Sequence, residues 1–136
     1  MAYEKEVLEK SILDVSEKHL FRLGYKNLNL NDVAKELKIS KTTLYKNINN
    51  KYDVATMVVD RLLEKADLSI SELLQMELSL PEKLRKGLKI ISSIFTKMDR
   101  EFLNDLENTL PELWEKIDVA RKEKEKLLQK SSLTSV

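Results

Sequence analysis

Three closely spaced signals for the start of a helix are what most constrain the fold of this chain. They lie within a segment of twenty-six residues that runs from Asn29 to Val54. Two are N-x-x-D pairs, in which the Asn accepts hydrogen bonds from free N–H groups and the carboxylate lies near the positive end of the helix. The third is a serine. The signals are Asn29 with Asp32, Ser40, and Asn50 with Asp53.

The spacing of these signals predicts two short helices, at about residues 30–37 and about residues 41–47, and a longer helix that begins at Lys51. Apolar residues mark the sides that face inward. These are Val33, Ala34 and Leu37 on the first helix, Ile39 at the turn, and Leu44 and Ile48 on the second. Two short helices joined by a tight turn form a helix-turn-helix, an arrangement typical of DNA-binding proteins.

The outward side of the second helix has the composition that DNA recognition requires. Lysine offers charge to phosphates or a donor to guanine, threonine and asparagine offer short hydrogen-bonding arms, and a tyrosine hydroxyl reaches phosphates. The residues on this side are Lys41, Thr42, Thr43, Tyr45, Lys46 and Asn47, and none is acidic.

Charge is unevenly distributed along a nearly neutral chain. Residues 1–51 hold 10 Lys and Arg against 7 Asp and Glu, or +3, whereas residues 52–136 hold 14 against 16, or −2. Between Lys26 and Lys51 there are six lysines and two acidic residues. The N-terminal part is therefore modestly basic, as a DNA-binding region would be, although such an excess is also common on solvated helices.

The composition favours a helical protein without catalytic machinery. Two Gly and two Pro, with 35% charged residues, leave few positions for tight turns and predict an all-α fold. One His, no Cys and no Gly-rich phosphate loop give no recognisable catalytic, metal or cofactor site, so we expect neither an enzyme nor a bound cofactor. There is no membrane-spanning run and no signal peptide, which predicts a cytoplasmic protein.

About seven helices are expected in all. The first extends from about Tyr3 to Leu23 and ends at Gly24, and the helix that begins at Lys51 is expected to break near residues 67–71. Two S/T-x-x-E boxes with proline in the first turn, at Ser79 and Thr109, predict further helix starts. The expected C-terminal helices span about residues 80–97, 100–108 and 110–129.

The N-terminal sequence resembles the DNA-binding domain of TetR-type transcriptional regulators over roughly residues 8–60. The resemblance is carried by Gly24-Tyr25, Asn31-Asp32-Val33-Ala34, Ile39-Ser40-Lys41, Thr43-Leu44-Tyr45 and Asn50-Lys51. Three positions depart from the pattern: the family usually has glycine where this chain has Lys38, commonly has glycine or alanine at the position of Thr42, and usually has an aromatic residue at the position of Ile48. The resemblance implies an all-α homodimer in which an N-terminal three-helix bundle binds operator DNA, a long fourth helix connects, and a C-terminal helical domain binds a ligand and dimerises.

Specific roles follow from this resemblance. Phosphate contacts are expected from Lys41, Tyr45, Lys46 and Lys51, and base contacts from Asn31, Thr42, Thr43 and Lys46. The full set of DNA-binding residues is Asn29, Asn31, Lys41, Thr42, Thr43, Tyr45, Lys46, Asn47 and Lys51. An effector pocket is expected in the apolar C-terminal stripe, at Ile91, Ile94, Phe95, Met98, Phe102, Leu106, Trp114 and Ile117, although such a stripe is first of all typical of a core.

The expected domains are residues 1–50, which bind DNA, and residues 51–136, which bind ligand and dimerise. The second is incomplete relative to the family, so either a truncated chain or another mode of dimerisation is expected. The predicted function is that of a sequence-specific transcriptional regulator, a repressor released by a small-molecule effector. The alternative is a truncated helical interaction module that binds a partner regulator without binding DNA.

Overall fold

A computed structural model describes the backbone of residues 4–134 and the side chains of residues 4–130. Within this part the chain is all-α, with seven helices and no strand, which confirms the predicted fold class. The helices are α1 (Lys5–Leu23), α2 (Leu30–Leu37), α3 (Lys41–Asn47), α4 (Lys51–Gln75), α5 (Leu80–Lys97), α6 (Arg100–Asn108) and α7 (Pro111–Thr134). Tyr3, the predicted first residue of α1, lies outside the described residues.

Side-chain caps set the starts of several helices as the sequence predicts. The Asn29 side chain accepts from the Asn31 amide at 2.9 Å, and the Ser40 hydroxyl accepts from the Thr43 amide at 3.1 Å. The Ser79 hydroxyl accepts from the amide of Glu82 at 3.4 Å. The box at Thr109 works differently, since Thr109 ends α6 and the Leu110 carbonyl accepts the first bonds of α7.

Helix α4 is continuous from Lys51 to Gln75, so the predicted break near residues 67–71 is wrong. Polar residues in that segment suggested an interruption. However, the apolar spacing of Ala66, Ile70 and Leu73 continues through it, and all three side chains are buried. Burial of this stripe supports a regular helix despite the polar residues between.

The chain forms two compact units. The first comprises the chain up to Val58 together with Asp99–Thr109, and the second comprises Val59–Met98 together with the chain from Leu110 onward. Helix α6 therefore belongs to the first unit, where it packs against α1, and the Phe21 and Phe102 rings lie 5.5 Å apart. A division of the chain at residue 50, as the sequence suggested, does not reproduce this grouping.

In the second unit, α5 packs against α7 around a core of apolar side chains. Ile70, Leu73, Ile91 and Leu128 form this core. Gly87 allows close approach, since a Cβ there would lie 2.6 Å from both methyl groups of Leu128. None of the helices in residues 4–134 combines the length and the apolar character that crossing a bilayer requires.

Candidate nucleic-acid interface

Helices α2 and α3 form a short helix-turn-helix within the first unit. The turn is made by Lys38, which has left-handed backbone angles (φ 56°, ψ 41°) and donates its amide to the carbonyls of Ala34 and Lys35. This conformation disfavours any residue with a Cβ, which explains why glycine suits the position. The two helices have the bounds predicted from the sequence.

Helix α3 is held by its apolar side. Leu44 is fully buried and Ile48, directly after the helix, is also buried. At the other end, Ser40 caps the helix through the Thr43 amide. These contacts fix which side of α3 faces solvent.

The solvent side of α3 presents cations and hydrogen-bonding groups. Lys41, Thr42 and Lys46 are exposed, and Tyr45 retains 45% of its accessible surface. The hydroxyl of Tyr45 and the ammonium groups of Lys41 and Lys46 form no hydrogen bond or ion pair with any described residue. These groups are free to contact a ligand.

Two of the predicted contact residues are partly engaged within α3 itself. Thr43 is half-buried, and its hydroxyl accepts a hydrogen bond from the Ser40 hydroxyl at 2.9 Å. Asn47 is half-buried as well and donates its side-chain amide to the Thr43 carbonyl at 2.9 Å. Of the two threonines, Thr42 therefore has the hydroxyl that is more available for a base.

The remaining predicted residues lie at the starts of α2 and α4. Asn29 is exposed and Asn31 is half-buried in the first turn of α2. Lys51 is the first residue of α4, and its ammonium donates to the Lys26 carbonyl at 3.0 Å. Lys51 is therefore held in place, which reduces the conformational entropy lost when it binds an anion.

Glu36 of the helix-turn-helix pairs with α1 and not with the lysines of α3. Glu36 of α2 accepts from Lys18 at 2.6 Å and contacts the ring of buried His19 at 3.2 Å, both on α1. Its hydrogen bond with Lys18, and then that with His19, lower the pKa of the Glu36 carboxyl. Because this carboxylate is already paired with Lys18, it leaves the lysines of α3 uncompensated.

The residues expected to form an effector pocket do not come together as one set. Phe102 and Leu106 are fully buried in the first unit. In the second unit, Ile91, Ile94, Phe95 and Ile117 line an apolar cavity of about 20 Å³, which Met98 and Trp114 do not line. That volume accommodates about one water molecule, far less than the roughly 300–1,000 Å³ of ligand sites.

Comparison with protein-family models, with curated proteins and with solved structures finds no match for this chain.

Proposed function

We infer that this chain is a sequence-specific DNA-binding transcriptional regulator that uses α3 as its recognition helix. The observation that carries this proposal is the solvent side of α3, where Thr42, Tyr45 and Lys46 are exposed and no carboxylate compensates the lysines. These exposed groups do not contribute to the packing of the helix-turn-helix. They are suited to a DNA groove, which offers phosphates to the cations and base edges to the polar side chains.

The contacts divide by chemistry. Lys41, Lys46, Lys51 and Tyr45 would bind phosphates and fix the register of α3, because ammonium and hydroxyl groups donate to phosphate oxygens. Thr42 would read a base edge, while Thr43 supports the cap. Lys46 is long enough to serve in either role.

The proposal includes a homodimer whose release from DNA is controlled by a small effector, in the manner of TetR-type regulators. Two recognition helices about 34 Å apart would enter successive major-groove faces. The apolar cavity lined by Ile91 and Phe95 has a volume of only about 20 Å³, so an effector that bound there would have to open it. Helix α4 begins at Lys51, beside the proposed DNA-binding surface, and continues into the second unit. A shift of this helix on effector binding would therefore move the DNA-binding surface.

A selection from random duplexes tests the function directly. The wild-type chain should enrich a defined sequence, and Thr42→Ala should change the enriched bases at one position or a few positions of the site. Lys41→Ala should instead weaken binding to every sequence alike, because a phosphate contact carries no sequence information. Lack of binding to any duplex would reject the proposal in favour of the interaction module.

A further inference from the structure

A concave cleft lies beside α3 in the first unit, between the α1–α2 loop and the start of α4. It has a volume of about 520 Å³, and no carboxylate lines it. Its polar lining consists of Lys26, Asn27, Asn29, Tyr45, Asn49, Asn50 and Lys51. Of these, Lys26, Asn27, Asn49 and Asn50 were not among the DNA-binding residues expected from the sequence.

Helix capping determines what two of the asparagines offer to this cleft. The side-chain oxygen of Asn29 accepts from the Asn31 amide at 2.9 Å, and that of Asn50 accepts from the Asp53 amide at 2.8 Å. A capping atom must be the oxygen, because a backbone N–H requires an acceptor. The NH₂ group of each asparagine is therefore not used in capping, and this group can only donate hydrogen bonds.

The two lysines add positive charge to these donors. Lys51 uses one proton of its ammonium in the bond to the Lys26 carbonyl, so two remain. The ammonium of Lys26 is exposed and forms no hydrogen bond or ion pair within residues 4–130. The cleft thus combines two cations with amide and hydroxyl donors, a chemistry that matches a tetrahedral oxyanion.

The loop that carries Lys26 is anchored by α6. The Tyr25 amide donates to the Asp105 carboxylate at 2.8 Å. At Gly24, which has φ +80°, an added Cβ would lie 3.2 Å from the same carboxylate. This anchoring holds the neighbouring Lys26 at the edge of the cleft before any ligand binds.

We propose that the cleft binds one backbone phosphate of DNA, with Lys26 and Lys51 on the anion and the Asn29 and Asn50 amides as additional donors. The inference rests on the proposed DNA-binding function. It adds a contact outside α3, provided by the α1–α2 loop and by asparagines that also cap helices. Such a contact fixes position rather than sequence preference.

Two variants of the full chain test the proposal by fluorescence anisotropy with labelled duplexes. Lys26→Ala should lower the affinity several-fold for every duplex and reduce the slope of log K against log salt by about 0.9 for each bound subunit. Asn50→Asp keeps the capping oxygen but replaces the NH₂ donor by a carboxylate. It should keep the wild-type thermal midpoint and lower the affinity by roughly tenfold or more.

The matched control is Lys10→Ala, which removes the same charge from an exposed lysine of α1 that contacts Asp14 at 3.8 Å. Lys26→Arg should restore the affinity. If Lys26→Ala and Asn50→Asp bind as the Lys10→Ala control does, while Thr42→Ala still changes sequence preference, the cleft proposal is overturned and the DNA-binding function stands. If the wild-type chain binds no duplex, both are overturned.

Discussion

Helix α7 of the second unit and helix α3 of the first unit differ in how their positive charges are paired. On α7 of the second unit, Lys116 contacts Asp60, Lys124 contacts Asp67, and Arg121 contacts Asp118 and Glu125. On α3 of the first unit, Lys41 and Lys46 have no carboxylate within ion-pair distance among the described residues.

This difference separates cations that serve the fold from cations that are available to a partner. Lys124 is buried and needs Asp67, because an unpaired buried charge is costly. The lysines of α3 are exposed, so they remain solvated and add nothing to the packing of their unit. Because they have no carboxylate partner, they are available to a polyanion, as the proposed function requires.

The largest effects are expected from removing the apolar anchor of each unit. Leu44→Ala and Leu128→Ala each delete a buried side chain and should lower the free energy of unfolding by roughly 2–5 kcal/mol in urea titrations. Only Leu44→Ala should also weaken DNA binding strongly under conditions where both variants are folded, because Leu44 orients α3. Equal losses of affinity in the two variants would contradict the assignment of DNA binding to the first unit.

A smaller contrast is expected between the serine caps of the two units. Ser40 accepts from the Thr43 amide at 3.1 Å and also donates to the Thr43 hydroxyl, whereas Ser79 accepts from the Glu82 amide at 3.4 Å. Ser40→Ala should cost about 1 kcal/mol of unfolding free energy, and Ser79→Ala should cost less. Thermal and urea unfolding measure both, and a larger loss for Ser79→Ala would refute this ranking.

The turn of the helix-turn-helix should tolerate glycine better than its own lysine. Lys38→Gly relieves a left-handed backbone at φ 56° and should raise the free energy of unfolding by roughly 0.5–1 kcal/mol. Lys38→Ala removes the same charge but keeps a Cβ, so it should give no comparable gain. If both variants stabilise equally, charge rather than backbone strain is responsible.

The smallest effects concern exposed carboxylates at acidic pH. The pKa of Glu36 is lowered chiefly by Lys18 and then by His19, and that of Asp118 chiefly by Arg121 and then by Lys122. A lowered pKa in the folded state gives stability that is present above the ordinary carboxyl pKa and lost as the pH falls through the lowered value. As the pH falls from about 5 to about 3, the free energy of unfolding should therefore decrease slightly less in Glu36→Gln and in Asp118→Asn than in the wild type, because each variant lacks one of these carboxylates. Urea unfolding across this range tests the effect, and parallel pH curves would disprove it.

Local signals predict the short helices well because their starts depend on neighbouring side chains. Asn29, Ser40 and Ser79 each cap a helix through an amide two or three residues later, so the sequence contains both partners. The packing of α6 against α1 was not predicted, since the contact of Phe102 with Phe21 joins residues far apart in the chain. The continuity of α4 was missed for a similar reason, because buried partners override the polar residues between them.

The candidate site shows the same division. The exposed side of α3 follows from the spacing of Leu44 and Ile48, and the structure leaves Thr42, Tyr45 and Lys46 exposed there. The position of Lys26 beside the cleft was not predicted, because it depends on the loop anchored by Asp105 and on the bond from Lys51. Apolar spacing likewise grouped Phe102 with Ile91, although they lie in different units.

The salt dependence of DNA affinity is the most direct test of whether the unpaired lysines of the first unit bind a duplex. With about four to five lysine–phosphate contacts in each of two subunits, log K measured by anisotropy should fall linearly with log salt, with a slope of roughly −7 to −9. A slope near zero, or no binding at about 50 mM salt where such contacts are strongest, would contradict the account.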